Sequence, residues 1–156
     1  MYEVWWIVAG TLVAIGVLGL LAWPRWRRRR ETGRLVHACK LFHLRREWLE
    51  ADFVTVGSRA IKPHGLQWSD CDFEDEAAFA TDRNTRQLRA FVAVTIYLCP
   101  IDGGEAEGDR GSTKQRAATA VFHFDGRRWL TDGRAIFNLN PLEAIEHFQH
   151  ELEMVD

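Results

Sequence analysis

The chain lacks most of the short motifs that identify enzymes and metalloproteins. Its three cysteines, Cys39, Cys71 and Cys99, are an odd number and include no CxxC pair. That pattern argues against a paired disulfide framework and against a cysteine-based zinc site. Cys39 shares a predicted helix face with apolar residues and Cys99 ends an apolar run, so we expect both to be core thiols.

Three stretches approach a known ligand-binding motif without completing it. The run DCDFEDE (70–76) would need glycine and a carboxylate where Asp75 and Thr81 stand to form an EF-hand calcium loop. GDRGSTK (108–114) has the composition of a phosphate-binding loop in the wrong order, and the two histidines of EHFQHE (146–151) are not spaced as HExxH. We therefore expect no metal and no cofactor, assign no catalytic residue, and favour a protein that is not an enzyme.

Charge is missing altogether from residues 4–23, VWWIVAGTLVAIGVLGLLAW. As a helix rising about 1.5 Å per residue, this segment would span about 30 Å, the thickness of the hydrocarbon core of a bilayer. Tryptophan favours the headgroup level of a membrane. Pairs of tryptophans stand at the two ends of the segment: Trp5 and Trp6, then Trp23 and Trp26. The pattern predicts a transmembrane helix.

Positive charge is concentrated immediately after this segment. The N-terminal flank carries only Glu3, whereas the stretch AWPRWRRRRE (22–31) carries five arginines: Arg25, Arg27, Arg28, Arg29 and Arg30. Because basic residues are retained on the cytoplasmic side, the N-terminus is predicted outside and the rest of the chain inside. The arginines would also attract anionic headgroups of the lipid bilayer. A cleaved signal peptide is disfavoured, since no basic residue precedes the apolar run and no small-residue cleavage site follows it.

Residues 1–30 are thus the predicted anchor, and residues 31–156 are a predicted cytoplasmic domain long enough for a core of its own. Outside the anchor remain 15 basic and 21 acidic residues, a net charge of −6. A domain of that charge is not expected to bind nucleic acid, which requires a basic face.

The domain is predicted to be α+β. Apolar residues recur at helical spacing from Arg34 to about Asp52, after which Phe53 to Val56 are predicted to leave the helix. Strands are predicted over 66–73, 88–99, 114–124 and the segment RRWLT (127–131). The last two would be joined by a two-residue turn at Asp125-Gly126, which sets Phe122 opposite Trp129.

A C-terminal helix completes the predicted order of elements. Asn140 caps it, Pro141 lies in its first turn and Glu143 completes a capping box. Its predicted buried face consists of Leu142, Ile145, Phe148, Leu152 and Val155. A helix followed by an antiparallel meander, over residues 34–138, resembles the cystatin-like and NTF2-like rolls in the order of its elements. The resemblance implies a curled sheet packed on helices.

Two functional hypotheses of different classes follow. In the first, the domain binds a membrane-associated protein through Leu41, Leu44 and Trp48, which form a stripe displaced from the predicted core face of the first helix. In the second, the roll encloses a pocket that binds or converts a small molecule. The polar candidates for such a pocket are Asp70, Tyr97 and His123.

Overall fold

The computed structural model describes residues 32–60, 66–100 and 114–155. The predicted transmembrane segment 4–23 lies outside these residues, as do its flanking residues Trp5, Trp6, Trp23, Trp26, Arg25, Arg27, Arg28, Arg29 and Arg30. Within the three described ranges, no helix combines the length and the apolar character that crossing a membrane requires.

The described residues form an α+β structure with three helices and a six-stranded antiparallel sheet. The helices are α1 (residues 32–44), α2 (Arg46–Ala60) and α3 (Pro141–His147). The strands are β1 (Leu66–Asp82), β2 (Leu88–Pro100), β3 (Lys114–Phe124), β4 (Trp129–Leu130), β5 (Ala135–Phe137) and β6 (Leu152–Met154). Compact units divide after Lys40, and the packing described below is that of the second unit, Leu41–Asp156.

The prediction that the chain leaves the helix at Phe53 is wrong. The helix is interrupted at Arg45, and α2 then continues to Ala60. Leu49, Phe53 and Gly57 are its buried residues, and their spacing of four places them on one face. Burial of this face outweighs the weak helix propensity of the β-branched residues between Phe53 and Gly57.

The sheet has the order β4-β3-β2-β1-β6, and β5 also pairs with β3. The predicted strands 88–99 and 114–124 are confirmed, and they pair from Arg89 with His123 to Leu98 with Lys114. β1 is longer than predicted because pairing with β2 resumes at Ala77, after the acidic residues that follow Phe73, and continues to Thr81. The register shifts between Phe73 and Ala77, and the Arg46 guanidinium donates hydrogen bonds to the carbonyls of Glu74 and Asp75 there.

The predicted register of the hairpin after β3 is wrong by two residues. Phe124, rather than Phe122, lies opposite Trp129, so the connection holds four residues instead of two. The Asp125 side chain explains the difference, because its Oδ1 accepts 2.8 Å hydrogen bonds from the backbone N–H groups of Arg127 and Arg128. A cap of this kind favours the longer turn.

Aromatic side chains dominate the core between the helices and one face of the sheet. Phe53 of α2 lies with its ring centroid 5.7 Å from Phe73 and 5.9 Å from Phe122. Phe42 lies 5.5 Å from Phe122 and 5.0 Å from Trp129. Phe42, Phe53 and Phe122 are all fully buried, so this face is filled by side chains.

The opposite face of the sheet is partly covered by α3. Ala144 and Ile145 pack there with Phe91, Val121 and Leu152. The predicted capping box is confirmed, since the Asn140 side chain accepts a hydrogen bond from the Glu143 N–H and Glu143 accepts one from the Asn140 N–H.

The predicted extent of the C-terminal helix is wrong. α3 ends at His147, and Leu152–Met154 instead form β6, which pairs with Ala80–Asp82. Leu152 is buried as predicted, but it reaches the core from a strand at the sheet edge. Leu142, which was predicted to be buried, is 57% exposed.

Candidate interaction surface

Among the described residues of the second unit, the most exposed large apolar side chains lie together where α1 gives way to α2. Trp48 is 77% exposed and Leu44 is 70% exposed. Leu49 follows Trp48 directly and is buried, and consecutive helical residues point about 100° apart, so anchoring Leu49 and Phe53 in the core turns Trp48 outward. Leu41 is half-buried one turn before Leu44.

The exposed side chains continue along α2 at the same spacing. Ala51 and Thr55 are exposed, and with Leu41, Leu44 and Trp48 they recur at alternating intervals of three and four residues. We call these five residues the α2 stripe. Residues at such intervals share one side of a helix. Leu41 and Leu44 belong to α1 and the other three residues to α2, and hydrogen bonds from the Arg45 N–H to Leu41 and from the Leu49 N–H to Arg45 keep helical spacing across the interruption. The stripe therefore follows one side of the α1–α2 segment, with a large aromatic group near its centre and small side chains beyond it.

Two charged residues flank the α2 stripe. Arg45 and Asp52 are exposed, and within the described ranges neither forms an ion pair. By contrast, Arg46 is held in place, because its Nε lies 2.6 Å from Oε1 of Glu50 and its guanidinium bonds the carbonyls of Glu74 and Asp75. The two bonds to the carbonyls connect the start of α2 to β1.

The sequence indicated only part of this surface. Leu41, Leu44 and Trp48 were predicted from their apolar character, but Ala51 and Thr55 carry no such signal. The interval of three and four residues that continues through them was available in the sequence. It becomes informative once α2 is known to extend beyond Asp52.

The predicted pocket residues are not brought to one place. Asp70 and Tyr97 are neighbours on adjacent strands, both on the face of the sheet that α3 partly covers. His123 is on the same face but pairs with Arg89, eight residues before Tyr97 on β2. At about 3.4 Å per residue that separation is roughly 27 Å along the strand.

Two depressions occur elsewhere among the described residues. One, of about 10 Å³, has room for about one water molecule and lies between the sheet and α3; Arg89, Phe91, Arg134 and Phe148 are among its lining residues. The other, of about 390 Å³, is open to solvent and is lined by Leu139, Glu143, Glu146, His147 and Gln149. Asp70, Tyr97 and His123 line neither of them.

Cys71 and Asp82, both with shifted pKa values, lie away from the α2 stripe. Burial raises the pKa of the Cys71 thiol to about 11, with a smaller contribution from the Asp70 charge. Hydrogen bonds from backbone N–H groups, the largest from Thr85, lower the pKa of Asp82. Over the part of the chain that the structure describes, no three His, Cys, Asp or Glu side chains form a group that could hold a metal ion.

Comparison of the chain with protein-family models, with curated proteins and with solved structures finds no match.

Proposed function

We propose that this chain is a single-pass membrane protein with its N-terminus outside the cell. In this proposal residues 4–23 span the bilayer and Arg25 to Arg30 contact anionic headgroups on the cytoplasmic side. Residues 31–156 form a cytoplasmic domain that binds a membrane-associated protein through Leu41, Leu44 and Trp48. The domain is a binding module in this proposal, not an enzyme.

The exposure of Trp48 is the observation that carries the proposal. An indole that is 77% exposed beside a leucine that is 70% exposed leaves a contiguous apolar area in water. Burying such area against a partner is favourable by roughly 25 cal/mol per Å². Tryptophan is also enriched among the residues that contribute most to protein interfaces. The Arg46 guanidinium donates hydrogen bonds to the carbonyls of Glu74 and Asp75, which connects the start of α2 to β1.

We further propose that the sheet curls about α2 as in the cystatin-like and NTF2-like rolls. The order of a helical segment followed by the meander β1-β2-β3-β4 supports this proposal. The packing of Phe53 against Phe73 and Phe122 also supports it, because these rings come from β1 and β3, on either side of β2.

A pocket that binds or converts a small molecule is the alternative, and it has weaker support. Such a site needs polar groups that converge in a cavity of several hundred Å³. His123 is far along the sheet from Asp70 and Tyr97, and the face against α2 is filled by Phe42, Phe53 and Phe122.

Site-specific photocrosslinking in intact membranes tests the proposed function. A photoreactive phenylalanine analogue replaces Trp48 in the full chain, and a matched variant carries it at Leu142, which is 57% exposed on α3. We expect protein adducts from position 48 and none from position 142. Adducts at both positions, or at neither, would contradict the proposal.

A further inference from the structure

We propose that the protein bound by the α2 stripe is a second copy of this chain, packed antiparallel to the first along α2. The inference rests on the proposed function, since it names the partner of the same surface. Three features of the stripe carry it: the spacing of its residues, the pairing of a large with a small side chain, and the charges beside it.

The spacing of the α2 stripe is that of a two-helix seam. Intervals of three and four residues are the a and d positions of a heptad, which meet the same positions of a facing helix. Leu41, Trp48 and Thr55 take the a positions, while Leu44 and Ala51 take the d positions. The partner that this surface suits is therefore another helical segment with the same periodicity, and the α1–α2 segment of a second copy has that periodicity.

An antiparallel arrangement makes the stripe complementary to itself. In antiparallel helix pairs an a residue packs against a d residue of the other helix. Trp48 then packs over Ala51 of the second copy, and Leu44 over Thr55 of the second copy. A large side chain meets a small one at each contact, and the twofold symmetry repeats each contact once.

The flanking charges distinguish antiparallel from parallel packing. In the antiparallel pair, Arg45 and Asp52 both occupy the e position, so Arg45 of each copy faces Asp52 of the other with opposite charge. In a parallel pair the g residue Glu47 would face Asp52 of the second copy, and two carboxylates would repel each other. All three residues are exposed and available for such contacts.

The proposed membrane anchor suits a symmetric pair. In the proposed topology the anchors of two copies lie in the same membrane, which holds both domains at one surface. Confinement to one surface raises the effective concentration of the two domains, so a seam of about four helical turns is sufficient where it would be weak in free solution.

Charge reversal in the full chain tests the arrangement. Donor- and acceptor-labelled copies, tagged at the C-terminus, are reconstituted in phosphatidylcholine vesicles, and energy transfer is measured against protein density. We expect Trp48→Ala to weaken self-association about tenfold or more, and Leu142→Ala to leave it unchanged. Arg45→Asp or Asp52→Arg alone should weaken it about fivefold, and the double variant should restore it to within about twofold.

Several outcomes would overturn the inference. Self-association that is insensitive to Trp48→Ala would place the contact elsewhere. Stronger self-association of the Asp52→Arg variant alone would indicate parallel packing, because the guanidinium introduced at that position would then face Glu47 of the second copy. Absence of self-association would also refute the second copy as partner. If self-association is absent but the photoreactive group at position 48 captures a different protein, the proposed function stands without this inference. If no protein is captured either, both fail.

Discussion

The carboxylate of Asp82 and the guanidinium of Arg89 form a 2.7 Å ion pair beside the turn that joins β1 to β2. The other carboxylate oxygen of Asp82 accepts 2.9 Å hydrogen bonds from the backbone N–H groups of Asn84 and Thr85. Asp82 is 5% exposed. Its buried carboxylate therefore accepts the backbone hydrogen bonds of the turn and also holds the Arg89 guanidinium in place.

The first prediction concerns acid sensitivity. Hydrogen bonds from Thr85 and Asn84, with Arg89 contributing less, hold the pKa of Asp82 below its unfolded value of about 3.9. The resulting stabilisation is complete above that pH and is lost as the pH falls through the folded-state pKa. Asp82→Asn should therefore lower the Tm at pH 7, and the difference from wild type should shrink below about pH 4.

Thermal unfolding followed by circular dichroism between pH 3 and pH 7 measures this difference. Asp125→Asn is the matched control. Asp125 also accepts backbone hydrogen bonds that lower its pKa, but its side chain is 36% exposed, so its effect should be smaller. A deficit in the Asp82→Asn variant that is as large at pH 3 as at pH 7 would show that the carboxylate charge is not responsible.

The second prediction concerns the contact between α2 and the turn at Gly133. A Cβ at Gly133 would lie 2.5 Å from the Gly57 nitrogen and 2.7 Å from its Cα, and the φ of +72° is unfavourable for an L-residue. Gly133→Ala should cost about 2–4 kcal/mol in the free energy of unfolding, as overpacking adds to backbone strain. Gly126 has a φ of +97° but open space around it, so Gly126→Ala should lower the free energy of unfolding by only about 1–2 kcal/mol. If urea denaturation gives the same loss of unfolding free energy for Gly133→Ala as for Gly126→Ala, the close approach to Gly57 is unimportant.

The third prediction concerns the reactivity of Cys71. With its pKa at about 11, the thiol holds roughly a hundredfold less thiolate at pH 8 than a thiol with the ordinary value of 9.0. Since the thiolate is the nucleophile, alkylation of Cys71 by iodoacetamide should be slow at pH 8 and rise up to about pH 11. Peptide mass spectrometry gives the rate for this residue.

Asp70→Asn should accelerate the alkylation modestly, because the Asp70 charge is the smaller cause of the raised pKa. Asp72→Asn serves as the control, since Asp72 is exposed and is not a cause of the shift. Alkylation of Cys71 at pH 8 as fast as that of a free cysteine peptide would contradict the burial of its thiol in β1.

Local signals in the sequence predicted the α+β class, two of the long strands and the start of α3. The capping box of Asn140 and Glu143 involves residues three apart, so it is readable without knowing the fold. The end of α2 was not predicted, because Phe53 stays helical in order to pack against Phe73 and Phe122, which are distant in sequence. The strand position of Leu152 was not predicted for the same reason, since its burial depends on pairing with Asp82 of β1, which is distant in sequence.

The candidate surface was predictable to the extent that it is apolar. Leu44 and Trp48 were placed on a stripe separate from the core, and the structure gives their exposure. Arg45 and Asp52 could not be singled out, because the role proposed for them depends on which side of α2 faces outward. That side is determined by the burial of Leu49 and Phe53.

The fourth prediction concerns the orientation of the anchor. Because the five arginines from Arg25 to Arg30 are predicted to stay in the cytoplasm, a reporter fused after Asp156 should be active only when it functions inside the cell. Replacing all five by glutamine should produce a mixture of orientations. Replacing five arginines or lysines beyond residue 31 should have little effect, since those lie further from the span. Activity of an extracytoplasmic reporter fused to the unaltered chain would reverse the proposed topology.

The fifth prediction separates a binding role for Trp48 from a structural one. Phe53→Ala removes a fully buried ring and should cost about 3–5 kcal/mol in the free energy of unfolding. Trp48→Ala removes a larger ring from the same helix, yet it should change stability by no more than about 0.5 kcal/mol, because the indole is 77% exposed. Both values come from denaturant titration of the full chain in detergent. Partner capture by a crosslinker on the α2 stripe should fall in the Trp48→Ala variant despite its unchanged stability. A loss of several kcal/mol in that variant would identify Trp48 as part of the core and remove the basis for the interaction surface.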